Sequence, residues 1–78
     1  MSIDLKDICQ RLKELRKECN LSQNELSKLT GIEQATISNI ERENNFYFEN
    51  FVPLYLFFNK RLGKKKVLKK LFENPKKK

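Results

Sequence analysis

Gln34, Ala35, Thr36 and Asn39 are the side chains of this 78-residue chain whose types and spacing suggest a chemistry. They are uncharged and short enough to hold a geometry. A Gln or Asn amide offers a donor and an acceptor side by side, the pattern that pairs bidentately with adenine N6 and N7 in a major groove. Ala35 suits a thymine methyl, and Thr36 suits a base edge or a phosphate oxygen. This is the chemistry of recognition, and it requires a rigid element to present those residues together.

The segment Ser22 to Glu41, SQNELSKLTGIEQATISNIE, supplies that element. Ser22 and Glu25 form an S-x-x-E capping box, and Leu21 and Leu26 fall at hydrophobic-staple positions. Gly31 falls where a helix stops in a left-handed conformation that costs Gly little. Ile32 and Ile37 repeat the staple spacing around a second start at Glu33. The spacing predicts helices over 23–30 and 34–42 joined by a tight turn, a helix-turn-helix whose second helix can enter a major groove. Leu26, Leu29, Ile32, Ile37 and Ile40 are expected to face inward, with Ser27 small at the close approach of the two helices. Gln34, Thr36, Ser38 and Asn39 fall largely on the other side.

The run LKELRKECNLSQNELSKLTGIEQATISNIER resembles the XRE/Cro family of bacterial and phage helix-turn-helix regulators, over about Leu12 to Phe58. The resemblance implies an all-α, compact five-helix DNA-binding domain, working as a homodimer on a palindromic double-stranded operator. It places Gln34, Ala35, Thr36 and Asn39 on base-reading positions and Gln23 on a phosphate. It also implies a structural ion pair, Arg16 with Glu41, tying the first helix to the end of the third. Asn44, Asn45, Lys60 and Arg61 are further phosphate candidates. Two departures stand out. Glu33 replaces the usual Ser or Thr helix cap and would repel phosphates, or accept from a cytosine amine. The loop after the third helix lacks Gly and basic residues.

Composition narrows the alternatives. The chain has no His, and Cys9 and Cys19 are its two cysteines. Ten residues apart on one helix, those thiols are about 15 Å apart by helical rise, against the roughly 7 Å a disulfide allows. They are expected to be half-buried thiols, with no metal site and no cofactor. Nothing suggests paired carboxylates in a cleft or a Gly-rich phosphate loop, so an enzyme is not expected. The longest apolar run, broken by Pro53, is too short for a membrane span. MSIDLKDI lacks the features of a secretory signal, so a cytoplasmic, nucleoid-associated protein is expected. The net charge is +7, yet residues 1–44 hold seven Lys/Arg and eight Asp/Glu, whereas residues 45–78 hold ten Lys/Arg and two Glu. The positive charge therefore lies outside the helix-turn-helix, where it suits flanking phosphates.

The remaining elements follow from periodicity. A first helix is predicted over 4–19, with Leu5, Ile8, Leu12, Leu15 and Cys19 as its core stripe and Asn20 as its stop. A fourth is predicted over 49–58, beginning near Asn50 or kinked at Pro53, then a turn over 59–63 and a fifth helix over 64–72. The domain is expected over 1–73, with a disordered Lys-rich tail over 74–78. Seven of the eight aromatics lie between Phe46 and Phe58. A helix apolar all round is buried on more than one side, so Phe51, Tyr55, Phe58, Leu68 and Phe72 are expected at a homodimer interface. A toxin or other protein partner, with weak or lost DNA binding, is the competing expectation.

Overall fold

The computed structural model describes residues 5–43 and 48–72, all except the side chain of residue 43. Among them are five helices and no strand: α1 (Leu5–Glu18), α2 (Gln23–Thr30), α3 (Gln34–Glu43), α4 (Phe48–Leu62) and α5 (Lys64–Phe72). Asn44, Asn45 and the tail over 74–78 lie outside the described residues. No described helix is long and apolar enough to cross a membrane.

Local signals set most of the boundaries. Asn20 stops α1 at φ 59°, and Gly31 stops α2 at φ 82° with its N–H donating to the Ser27 carbonyl at 2.8 Å. The capping box is complete: the Glu25 N–H donates to Ser22 Oγ, and the Ser22 N–H donates to Glu25 Oε1. Helix α4 starts within a residue of the expected 49 but departs from expectation at its end. It runs through Pro53 in its second turn and continues past Asn59 to Leu62. Gly63, at φ 99°, ends it and donates to the Asn59 carbonyl at 2.9 Å, so one glycine replaces the expected five-residue turn. Packing overrides the proline: Leu54 and Phe58, which follow it, are both in the core.

One core joins all five helices: Cys9, Leu12 and Leu15 of α1, Leu26, Ile32, Ile37 and Ile40 of the α2–α3 unit, Leu54 and Phe58 of α4, Val67 and Leu71 of α5. Helix α3 packs on α1 and α2, while α5 packs on α1 and α4. Helices α1 and α5 run antiparallel, pinned by Glu18–Lys66 at 3.2 Å, Glu14–Lys70 at 3.0 Å and the Arg11 guanidinium donating to the Leu71 carbonyl. The Lys70 hydrogen bond holds the Glu14 carboxyl below its ordinary pKa.

Three expectations about burial need correction. Leu5 is exposed because this antiparallel register carries the first turn of α1 past the end of α5. Leu29 is 53% exposed, since α2 turns the face bearing Leu26 and Thr30 inward and leaves Leu29 at its margin. Cys9 is fully buried, with its thiol pushed up to about 11 by desolvation, whereas Cys19 is half-buried; both are free.

A new Cβ at Gly31 would meet nothing within 4 Å, so a substitution there tests backbone conformation alone. Gly31→Ala should lower unfolding free energy by about 1–2 kcal/mol, the cost of a left-handed L-residue, with the urea midpoint falling and its slope unchanged.

Candidate nucleic-acid interface

Helix α3 begins with backbone alone. The Glu33 carbonyl accepts from the Thr36 and Ile37 amides at 3.0 and 3.1 Å, while the Glu33 side chain is exposed. Ile37 and Ile40 are buried, which fixes the rotation of the helix. Gln34, Ala35 and Asn39 are consequently exposed, and Thr36 and Ser38 are half-buried at the margins. At about 100° per residue, Ala35, Asn39 and Arg42 form the centre of the outward face, with Gln34 and Thr36 on its two flanks.

Arg42 is a member of this face that the sequence reading missed. Its Nη2 donates to Asn39 Oδ1 at 3.0 Å. The i, i+3 spacing on a helix was the available signal. The contact restrains the Asn39 amide, leaving its NH₂ and one oxygen lone pair for an outside partner.

Behind this face lies a buried polar network. Arg16 and Glu41 form a two-point pair, Nε to Oε2 at 2.8 Å and Nη2 to Oε1 at 3.0 Å, with side chains only 10% and 5% exposed. Arg16 Nη1 also donates to the Leu21 carbonyl at 2.7 Å, and Gln23 Nε2 donates to Glu41 Oε1 at 2.9 Å. Thus the end of α1, the entry to α2 and the end of α3 share one carboxylate. The Gln23 side chain, assigned from the sequence to a phosphate, has an internal partner and retains one amide hydrogen. The capping box serves the Glu25 amide, so the Gln23 and Asn24 N–H groups remain without an intrahelical acceptor, at a helix start that favours anions.

Lys60 and Arg61 are exposed in the last turn of α4. Arg61 lies over the Phe57 ring at 5.3 Å. The residues expected at a dimer interface separate into three environments. Phe51 and Tyr55 are half-buried and stack with exposed Phe48, with ring centroids 6.4 and 5.7 Å apart along the row. Leu68 and Phe72 are exposed on α5. Phe58 is fully buried inside the chain itself, edge-on to Phe57. It belongs to the core and is not available to a partner; Leu56, 57% exposed, occupies the outward side of α4.

Residues 9–71 match the family described as the helix-turn-helix domain, a span reaching from α1 into α5. The chain belongs to that family. No curated protein and no solved structure matches it. The helix-turn-helix is a DNA-binding architecture in which the second helix of the motif meets the groove; α3 is the second helix of the motif in this chain.

Breaking a buried ion pair leaves an uncompensated charge, at a cost of about 3–5 kcal/mol. Arg16→Ala should therefore remove a large share of the stability of so small a domain. A thermal melt recorded by circular dichroism checks this, and a shift of only a degree or two would deny the network its structural role.

Proposed function

We propose that this helix-turn-helix protein is a sequence-specific regulator of the XRE/Cro kind, acting as a repressor. In this reading α3 lies in the major groove of double-stranded DNA. Gln34 and Asn39 pair with base edges, Ala35 meets a thymine methyl, and Thr36 contacts a base or the adjoining phosphate. The free first-turn amides of α2, with the remaining Gln23 amide hydrogen, hold the backbone and set the register. The observation that carries the reading is the hydrogen-bonding face of α3, with Arg42 bonded to Asn39, held from behind by the Arg16–Glu41–Gln23 network. Such rigid support suits base recognition, which fails when side chains are loosely held.

A homodimer would present two such helices to half-sites about one helical turn, or 34 Å, apart. The outward side of α4 supports it: Phe48 and Leu56 are 74% and 57% exposed, next to half-buried Phe51, Val52 and Tyr55. Exposed apolar clusters of this kind mark interaction sites. Exposed Glu33 beside Gln34 favours a second reading, in which the domain binds a toxin or other protein and has weak DNA binding.

Enrichment from a random duplex pool at about 150 mM salt separates these readings. Wild type should yield a palindromic motif, and Gln34→Ala/Asn39→Ala should lose it; a wild type without any motif would sink base reading by α3. Sedimentation velocity tests the dimer. Phe48→Ser/Leu56→Ser should turn a dimer into a folded monomer, whereas Phe58→Ala should cost about 3–5 kcal/mol and unfold the chain. A double variant that still sediments as a dimer would place the interface elsewhere.

A further inference from the structure

Between Glu49 and Glu73 the chain contains seven Lys/Arg and no acid. The structure divides these cations into two groups. Lys66 and Lys70 turn toward α1 and pair with Glu18 and Glu14. Lys60, Arg61, Lys64, Lys65 and Lys69 are exposed and have no carboxylate partner among the described residues. Three lysines, Lys64, Lys65 and Lys66, occupy the first turn of α5, which has no acidic residue there. A helix start carries partial positive charge, so these lysines sit where their own helix repels them. Lys66 offsets this by pairing with Glu18, but Lys64 and Lys65 have no carboxylate partner among the described residues, and an external polyanion would relieve them.

The local geometry is organised for phosphate. The Arg61 guanidinium rests on the Phe57 ring, and Phe57, Lys60 and Arg61 line a shallow hollow of about 80 Å³. An Arg laid on an aromatic ring has lost much of its freedom already, and its planar fork matches phosphate oxygens. Lys60 beside it adds a second charge, and Gly63 brings Lys64 and Lys65 round on the next helix.

This cationic turn also sits next to the proposed DNA-facing start of α2. Lys66 pairs with Glu18 at 3.2 Å, which puts the first turn of α5 beside the end of α1. Gln23 lies four residues beyond Cys19, at most about 14 Å away. Phosphates advance about 3.4 Å per step along the duplex axis, so the reach from the end of α1 to the α2 start spans only a few phosphates.

We propose that Lys60, Arg61, Lys64 and Lys65 at the α4–α5 turn form a sequence-independent phosphate clamp, which grips duplex DNA beside the segment read by α3. The clamp rests on the DNA-binding reading above and supplies the affinity that the acidic surroundings of α3 withhold. It carries no sequence information, since phosphate contacts fix position only.

The test is fluorescence anisotropy on a mixed-sequence duplex about three turns long, from roughly 50 to 200 mM salt. Lys60→Gln/Lys64→Gln/Lys65→Gln should reduce the slope of log affinity against log salt by about 2.7, or 0.9 for each lost phosphate contact. Lys6→Gln/Lys13→Gln/Lys28→Gln removes the same charge elsewhere and should reduce it by less than about 1. Equal losses would mean diffuse attraction and overturn the clamp. So would an unchanged slope in the first variant, which would turn these lysines toward an acidic protein instead. Motif enrichment run alongside separates the two proposals. An enriched motif with an unchanged slope removes the clamp and keeps base reading; a reduced slope without a motif does the reverse.

Discussion

The carboxylate of Glu41 is the point on which the recognition half of the molecule depends. It accepts from Nε and Nη2 along one edge of the Arg16 guanidinium and from the Gln23 amide, while Nη1 of the same guanidinium donates to the Leu21 carbonyl. Three segments distant in sequence are therefore fixed by directional bonds as well as by apolar contact. Apolar packing through Leu26, Ile37 and Ile40 would bring α2 and α3 together, but it tolerates small rotations and slides. A two-point guanidinium–carboxylate pair tolerates few. Buried charge is weak evidence of net stabilisation; its value here lies in setting the angle at which α3 leaves the domain.

That arrangement explains a division of labour. The α2–α3 unit is slightly acidic, with two Lys/Arg against four Glu over 23–43, its polar outer face braced and its apolar inner face shared with α1. The α4–α5 hairpin carries the excess positive charge and the exposed aromatics. Recognition and attraction are thereby separated, so neither has to compromise the other. A strongly basic α3 would bind any duplex and blunt discrimination, since the phosphate term is blind to sequence. Uncharged amides on α3 avoid that, at the expense of affinity.

How much of this could be read from the chain depended on whether a signal was local. The bounds of α2 follow from Ser22, Glu25 and Gly31, each of which acts on its own neighbours, and the five-helix arrangement was legible from such stops and periods. The end of α4 was not, because Asn59 reads as a local stop signal, yet the helix runs on until Gly63. The same helix misled on Phe58 and Leu56. When nearly every position is apolar, periodicity cannot say which side faces the core; only the placement of α1 and α5 decides. Leu5 and Leu29 were assigned inward for the same reason, as their partners' ends are invisible in a spacing argument. Arg42 was passed over as an ordinary helix-end cation, and its bond to Asn39 makes it part of the α3 face.

The antiparallel pairing of α1 with α5 has a consequence for the order in which the fold can assemble. The α2–α3 and α4–α5 hairpins join neighbours through short turns and can form early. Helix α1 cannot be completed that way: Glu14 and Glu18 meet Lys70 and Lys66, and Cys9, Leu12 and Leu15 share a core with Val67 and Leu71. During synthesis, the part of the α1 apolar stripe that meets α5 stays uncovered until α5 emerges, while α3 and α4 can already cover the rest. Closure of this domain is thus an event that follows translation of α5, and a chain stalled before Lys66 would present that part of the stripe to chaperones and proteases.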